Sequence, residues 1–325
     1  MGRIRSTPAQ PSPSVSEPRA RADVSSETGE PTPIDWPEFW KEETQSGEYV
    51  IDQIVPEHRQ VAMYSEPKEG KSLLVLDVVA ARANGRPYLG ATESQEQIDV
   101  VYIDREMTAD DLRERLTDLG YGPDSDLSRL HYYQLTSLKP LDTDAGGKQL
   151  LELVQRHAAS LVVLDTMARV VEGDENVADT YRSFYKHTGW RLKAEGVALW
   201  RLDHAGKDAS KGQRGSSAKV DDVDLVWRLE TSKDRTEVTL TRTHSRLNWV
   251  PAKVVLRREE ESELRHVLTP HQYVAGTHDC VKALDDLGVP LDATGTTALT
   301  ELRRHDLGRR KQIVLDALRY RKTRE

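Results

Sequence analysis

Residues 60–83 read QVAMYSEPKEGKSLLVLDVVAARA, and this stretch decides the fold. Gln60 to Tyr64 predicts a short strand. Lys71 to Ala83 predicts a helix carrying Leu73, Leu74, Leu76, Val78 and Val79 and ending near Gly85. Between them, Ser65-Glu66-Pro67-Lys68-Glu69-Gly70-Lys71-Ser72 matches the phosphate-loop pattern G-x-x-x-x-G-K-[ST], with Ser65 standing at the first glycine. The spacing has a chemical reason. Backbone N–H groups of the loop and of the helix start wrap a β-phosphate. Gly70 lets the chain approach closely, Lys71 neutralises the β- and γ-phosphates, and the Ser72 hydroxyl ligates Mg²⁺. Ser65 fits the first position if the backbone there avoids a conformation reserved for glycine.

Outward from this loop, strands and helices alternate. Asp99–Asp104 (DVVYID), His131–Leu135, Leu161–Asp165 (LVVLD) and Val197–Asp203 (VALWRLD) predict strands. Thr108–Leu119, Gly147–Ala159 and Ala178–Ala194 predict the helices between them. Thr108 and Asp111 have capping-box spacing, Leu112, Leu116 and Leu119 share a face, and Gly120 is placed to end that helix. Continuous apolar strands alternating with helices imply a parallel sheet covered on both faces. Val223–Leu229, Glu237–Arg242, Val250–Arg258 and Leu264–Leu268 are expected as antiparallel strands. The long polar stretch His204–Asp222 reads as a functional or disordered loop.

The flanks differ in character. Residues 1–33 are rich in Pro, Ser, Glu and Arg, cannot bury enough surface to offset ordering entropy, and are expected to be disordered. Trp36, Phe39 and Trp40, followed by Tyr49, Val50 and Ile51, read as an anchor segment expected to dock on the core, with an exposed partner-binding motif as the alternative; the core domain is delimited at 34–270. Residues 271–325 read as a small helical appendage with helices at Asp279–Leu287, Thr297–Arg304 and Arg309–Arg321. It is expected to be either winged-helix-like and DNA-gripping or a lid packed on the core. The net charge is −8, yet Glu301–Glu325 holds nine Lys/Arg against four acids. An acidic body with a basic tail permits nucleic-acid contact. One cysteine, Cys280, excludes an internal disulfide and any Cys-based metal cluster. No stretch approaches the ~20 apolar residues of a membrane span, so no membrane partner and a cytoplasmic location are expected.

Three further positions carry chemistry. Asp165, at the carboxyl end of a buried strand beside the phosphate loop, can reach Mg²⁺. Glu106, two residues past DVVYID, is placed to orient and deprotonate an attacking water, with Asp104 competing for the role. His204 closes the VALWRLD strand, where a polar group can sense the γ-phosphate.

In this order, SEPKEGKS, VVYIDREMTADDLRERL, LVVLDT, LDHAGKD and RGSSAKVDDVDLVWRL resemble the RecA-like ATPases of the hexameric helicase group, in particular plasmid RepA-type and AAA-family ATPases. The resemblance implies an α/β fold with a RecA-like P-loop NTPase core, a mostly parallel sheet and antiparallel C-terminal strands. It also implies an ATP-hydrolysing homo-oligomer, a ring or hexamer with ATP and Mg²⁺ between subunits, and DNA as partner of a helicase-like motor. Carried over by residue, Lys71 and Ser72 hold phosphate and Mg²⁺, Glu106 is the catalytic glutamate, Asp165 the Walker B acid and His204 the sensor. An arginine finger is expected at Arg246, with Arg214 and Arg242 as alternatives. Channel loops are expected at Thr166–Asp179 and Ala205–Lys219; the first is acidic, the second carries Lys207, Lys211, Arg214 and Lys219. A non-motor regulatory or recombination-mediator ATPase is the alternative function.

Overall fold

A computed structural model describes residues 33–41, 48–174, 177–205, 222–260, 262–269 and 276–322. The sheet grows around the phosphate-loop strand. After a short helix α1 (Trp36–Phe39), strands β1 (Tyr49–Ile51) and β2 (Val55–Pro56) form a small hairpin, followed by β3 (Gln60–Ser65) and helix α2 (Lys71–Asn84). Then come β4 (Val100–Asp104), α3 (Ala109–Asp118), β5 (Leu130–Gln134), α4 (Asp144–His157), β6 (Leu161–Asp165), α5 (Met167–Val170), α6 (Ala178–Phe184), α7 (Trp190–Ala194) and β7 (Ala198–His204). A π-turn, Tyr185–Gly189, joins α6 to α7, so the single helix expected over 178–194 is continuous but locally widened. Four strands finish the sheet: β8 (Leu225–Thr231), β9 (Glu237–Ser245), β10 (Lys253–Glu259) and β11 (Arg265–Leu268).

The nine-stranded order is β11-β10-β9-β8-β3-β7-β6-β4-β5. The six strands from β8 to β5 in that order are parallel, and β9 to β11 continue antiparallel. This is the expected RecA-like α/β class, with one correction. The segment expected as an antiparallel strand over 223–229 is β8, which runs parallel to β3 with Val61 opposite Leu225 and Tyr64 opposite Arg228.

Alternate residues of one strand feed two cores. Val100 and Tyr102 of β4 join α2 on one face, while Val101 and Ile103 join α4, α6 and α7 on the other. Both faces are thereby dry, which is what a continuous apolar strand requires. Local signals set the helix ends. Thr108 accepts from the Asp111 N–H at 3.2 Å and Asp111 accepts from the Thr108 N–H at 2.9 Å, closing the capping box. Gly120 follows with φ +77°, the left-handed geometry that terminates the helix.

Of the expected anchor segment, Val50 and Ile51 are buried in the main core, whereas Trp36, Phe39 and Trp40 stay exposed. These three rings, at α1 and its end, pack edge to face on each other, and Trp40 is 77% exposed. The C-terminal helices Thr277–Asp286, Gly295–Arg304 and Lys311–Lys322 enclose a separate core around Cys280, Leu284, Leu302 and Val314. Among the described residues this appendage contains no strand, so the wing of the expected winged helix has no counterpart there. It is fastened to the β1–β2 side of the main core by Arg319, which ion-pairs with Asp52 at 3.0 Å and stacks over the Tyr49 ring at 4.8 Å. No described helix is long and apolar enough to cross a membrane.

Candidate active site

The parallel strands end together, and their carboxyl ends carry the residues singled out in the sequence. Strand β3 delivers Ser65, which keeps extended strand backbone rather than a left-handed one, and this removes the need for glycine at that position. Its hydroxyl donates to the Glu66 carbonyl at 2.8 Å. Glu66, Pro67 and Lys68 are exposed at the turn, and Lys68 has φ +69°. Gly70 has φ +82° and caps α2 with no side-chain hydrogen bond, leaving the first-turn N–H groups for an anion. Glu69 holds the loop in place: its carboxylate accepts from the Thr231 N–H and its carbonyl from the Thr231 hydroxyl, both at 2.7 Å. Lys71 is buried at the helix start and Ser72 half-buried beside it.

Across from Lys71 lies Asp165, 1% exposed, at the end of β6. Its Oδ2 accepts from the Tyr102 hydroxyl at 2.8 Å, while Oδ1 accepts no hydrogen bond among the described residues. Burial pushes the Asp165 carboxyl above the ordinary aspartate range, opposed by the Lys71 ammonium and by the Ser72 and Tyr102 hydroxyls. A buried carboxylate oxygen left open beside a serine hydroxyl is an oxygen-only donor pair, which suits a hard cation such as Mg²⁺. No group of three or more His, Cys, Asp or Glu that could hold a metal occurs among the described residues. Mg²⁺ accepts few protein ligands when phosphate supplies the rest.

Next to Asp165 on β4, the two competing carboxylates differ completely. Asp104 is fully buried, its Oδ1 accepting from the N–H groups of Glu106 and Met107 at 2.7 and 3.2 Å and its Oδ2 from the Tyr132 hydroxyl. Those bonds shape the turn that follows the strand. Glu106 projects into solvent instead, its carboxyl side chain 35% exposed. Glu106 Oε1 accepts from the Thr166 hydroxyl at 3.0 Å and lies 3.6 Å from Arg169 Nε and 4.0 Å from His204 Nε2. Four elements thus bring Glu106, Asp165, His204 and Lys71 to one edge.

Thr166, Arg169 and Tyr102 were not singled out in the sequence. Thr166 directly follows Asp165, so its position was legible there; its partner was not. Arg201 was also missed. Fully buried, it bonds Asp203 Oδ2 at 3.3 Å and Asp222 Oδ2 at 3.0 Å and lies 5.1 Å over the Tyr181 ring. It joins the strand below His204 to the point where the chain returns after residue 221.

The arginine candidates separate. Arg214 and most of the second expected channel loop lie outside the described residues. Arg242 donates to the carbonyls of Val250 at 2.5 Å and Leu247 at 3.4 Å, so it braces its own turn. Arg246 is exposed at the opposite end of the sheet, its N–H on the Asp224 carbonyl at 2.9 Å and Asp224 on the Gln60 N–H at 3.1 Å. Six residues of β3 separate it from the phosphate loop, roughly 20 Å at strand rise.

Residues 26–210, more than half of the chain, match the protein family described as AAA domain. The chain belongs to that family. Its AAA domain shares its fold with a solved KaiC-like protein from the hyperthermophilic archaeon Pyrococcus horikoshii OT3, at a TM-score of 0.50 and 14% identity. That likeness covers 70% of this chain and 99% of the other. A search of curated proteins found no match. The AAA domain is therefore a RecA-like P-loop ATPase core.

Proposed function

We propose that this protein binds and hydrolyses ATP at the edge formed by Lys71, Ser72, Glu106, Asp165 and His204, in a DNA-associated homo-oligomeric ring. One observation carries the hydrolytic reading: the open Glu106 carboxylate stands beside the orphaned Asp165 oxygen and the buried Lys71. The loop Ser65–Ser72 cradles the triphosphate, and Lys71 neutralises charge on the transferring group. Ser72 and Asp165 would hold Mg²⁺, which when bound supplies charge neutralisation at the phosphate oxygens. Glu106 takes the proton of the attacking water, with Thr166 fixing its orientation. His204 stands within reach of Glu106 and reports the state of the γ-phosphate to the chain beyond Ala205.

Arg246 cannot reach the phosphate loop of its own chain. Head-to-tail association brings opposite surfaces of neighbouring subunits together, so the far-end position of Arg246 supports a finger acting in trans and, with it, the ring. A helicase-like motor of plasmid, phage or mobile-element replication is the finer reading. Exposed Glu172 and Asp174 on the first expected channel loop favour the second one, a non-motor ATPase switch, because a loop that tracks phosphates needs cations.

The test measures ATP turnover and oligomeric mass with and without single-stranded DNA. Lys71→Ala should lower turnover by about 10²–10³-fold or more; wild-type turnover in that variant sinks the site. DNA-stimulated turnover supports the motor, and slow turnover that DNA leaves unchanged supports the switch.

A further inference from the structure

The arginines of the C-terminal helices divide into two groups. Arg319 and Arg321 are spent inside the fold. Arg319 pairs with Asp52, and Arg321, 6% exposed, bonds Asp285 at 2.7 Å and the Val289 carbonyl at 2.6 Å. The helix Lys311–Lys322 that carries them buries Gln312, Val314, Asp316, Ala317 and Leu318 as well. Its two paired arginines are therefore not available to read base edges.

The other group converges on one corner. Arg303 and Arg304 end the helix Gly295–Arg304, and Arg309 and Arg310 lead into the next helix. The turn brings its two ends together: a Cβ on Gly308 would lie in ordinary contact, 3.9 Å from the Arg303 side chain. Arg304 makes an exposed pair with Glu301 at 3.1 Å, and Arg309 donates to the Leu307 and Gly308 carbonyls at 3.1 and 3.2 Å. The corner also carries Glu301 and the exposed Asp306, so four arginines stand there against two acids, while Asp279, Asp285 and Asp286 lie apart on the helix Thr277–Asp286. Beside the corner, Gly295–Arg304 exposes Thr296, Thr297 and Thr300 while burying Ala298 and Leu302.

We propose that this corner is a binding surface for the phosphate backbone of duplex DNA, read without sequence preference. Guanidinium groups interleaved with hydroxyls are the donors that contact phosphate oxygens. Stable membrane-surface binding gains most of its strength from a buried apolar face, and among the described residues none of the exposed large hydrophobic side chains lies in the appendage. Single-strand binding draws on Trp, Tyr or Phe platforms for bases, and the described part of the appendage exposes none of these three. The third helix keeps Arg319 and Arg321 inside the fold, so the exposed arginines sit at the turn and helix ends, a placement that suits phosphate oxygens rather than base edges. The surface is remote from the ATP site in sequence and rests only on the DNA-associated part of the proposed function.

The test uses the full chain, a fluorescent duplex of arbitrary sequence, its single strand, and anionic vesicles. The triple variant Arg303→Ala, Arg304→Ala, Arg310→Ala should bind the duplex about tenfold or more weakly. The slope of log affinity against log salt should shrink by about one for every phosphate that is no longer neutralised. The corresponding triple Lys variant should keep the salt slope and bind far more tightly than the triple Ala variant, since a point charge neutralises a phosphate. Lys71→Ala should leave duplex affinity unchanged. Equal duplex binding by the Ala and wild-type proteins overturns this surface and leaves the DNA reading standing. A wild-type protein that binds no DNA overturns both, and preference for the single strand or for vesicles overturns the duplex assignment.

Discussion

The two ends of the central sheet use the same residue types to opposite effect. At the amino end, Asp224 is buried with both oxygens engaged: Oδ1 with Lys193 at 3.0 Å, Oδ2 with the Gln60 N–H at 3.1 Å. Nearby, the Trp227 indole donates to the Ile54 carbonyl at 2.8 Å. At the carboxyl end, Asp165 is equally buried and keeps Oδ1 open, while Glu106 stands in solvent. A buried polar atom without a partner costs stability. At Asp165, next to Lys71 and Ser72, that cost marks a place a ligand is expected to complete. The engaged Asp224 end holds the sheet together, and the edge with the open Asp165 oxygen is where the proposed chemistry sits.

Arg246 is the residue that tests this division hardest, because it places catalysis at the satisfied end. Arg246→Ala should lower turnover by about 10³–10⁵-fold, the range of an arginine finger. Mixed with Lys71→Ala under proven subunit exchange, it should regain turnover from interfaces that pair an intact loop with an intact arginine. No recovery in such a mixture removes Arg246 from the site and leaves its end purely structural.

Glu106→Gln should bind ATP normally and turn over about 10²–10⁴-fold more slowly. Asp104→Asn should instead lower the melting temperature, since Asp104 braces the turn through three hydrogen bonds. Calorimetric ATP binding with single-turnover hydrolysis separates the two; a fully active Glu106→Gln protein with a dead, well-folded Asp104→Asn protein reverses the assignment.

A smaller effect belongs to Thr166. Its hydrogen bond to a charged carboxylate is worth about 1.5–3 kcal/mol at most. Thr166→Val should therefore reduce kcat by about tenfold or more with KM for ATP unchanged, and Thr166→Ser should restore it. A change confined to KM, or no restoration by serine, assigns Thr166 to folding alone.

The last contrast is one of sign. Burial raises the Asp165 carboxyl above its ordinary range, so its protonated form favours the fold and ionisation costs stability as pH climbs through the aspartate range. At neutral pH Asp165→Asn should then stabilise the nucleotide-free protein, by about 2–4 °C in Tm for each kcal/mol relieved, and abolish stabilisation by Mg²⁺ and ATP. Asp224→Asn should lower Tm, because it breaks the pair with Lys193. Thermal melts across pH check both, and the same sign at both ends would erase the comparison.

The sequence by itself determined whatever is local. The strand Leu161–Asp165, the capping box at Thr108 and the break at Gly120 all depend on neighbours within a few residues, where spacing alone sets the geometry. So does the phosphate loop, since Gly70, Lys71 and Ser72 are consecutive. The direction of β8 was not legible, because an alternating apolar pattern is the same in parallel and antiparallel ladders. Only the register of Val61 with Leu225 decided it. Nor could spacing choose between Asp104 and Glu106. Hydrogen bonds from Tyr132 and Thr166, 28 and 60 residues away, occupy one carboxylate completely and orient the other. The same holds for the arginines: Arg303 and Arg321 look alike in sequence, and Asp285, 36 residues before Arg321, takes one of them out of solvent. Residue types set what each group can do, and the long-range contacts that satisfy or orphan it decide whether it is left to do it.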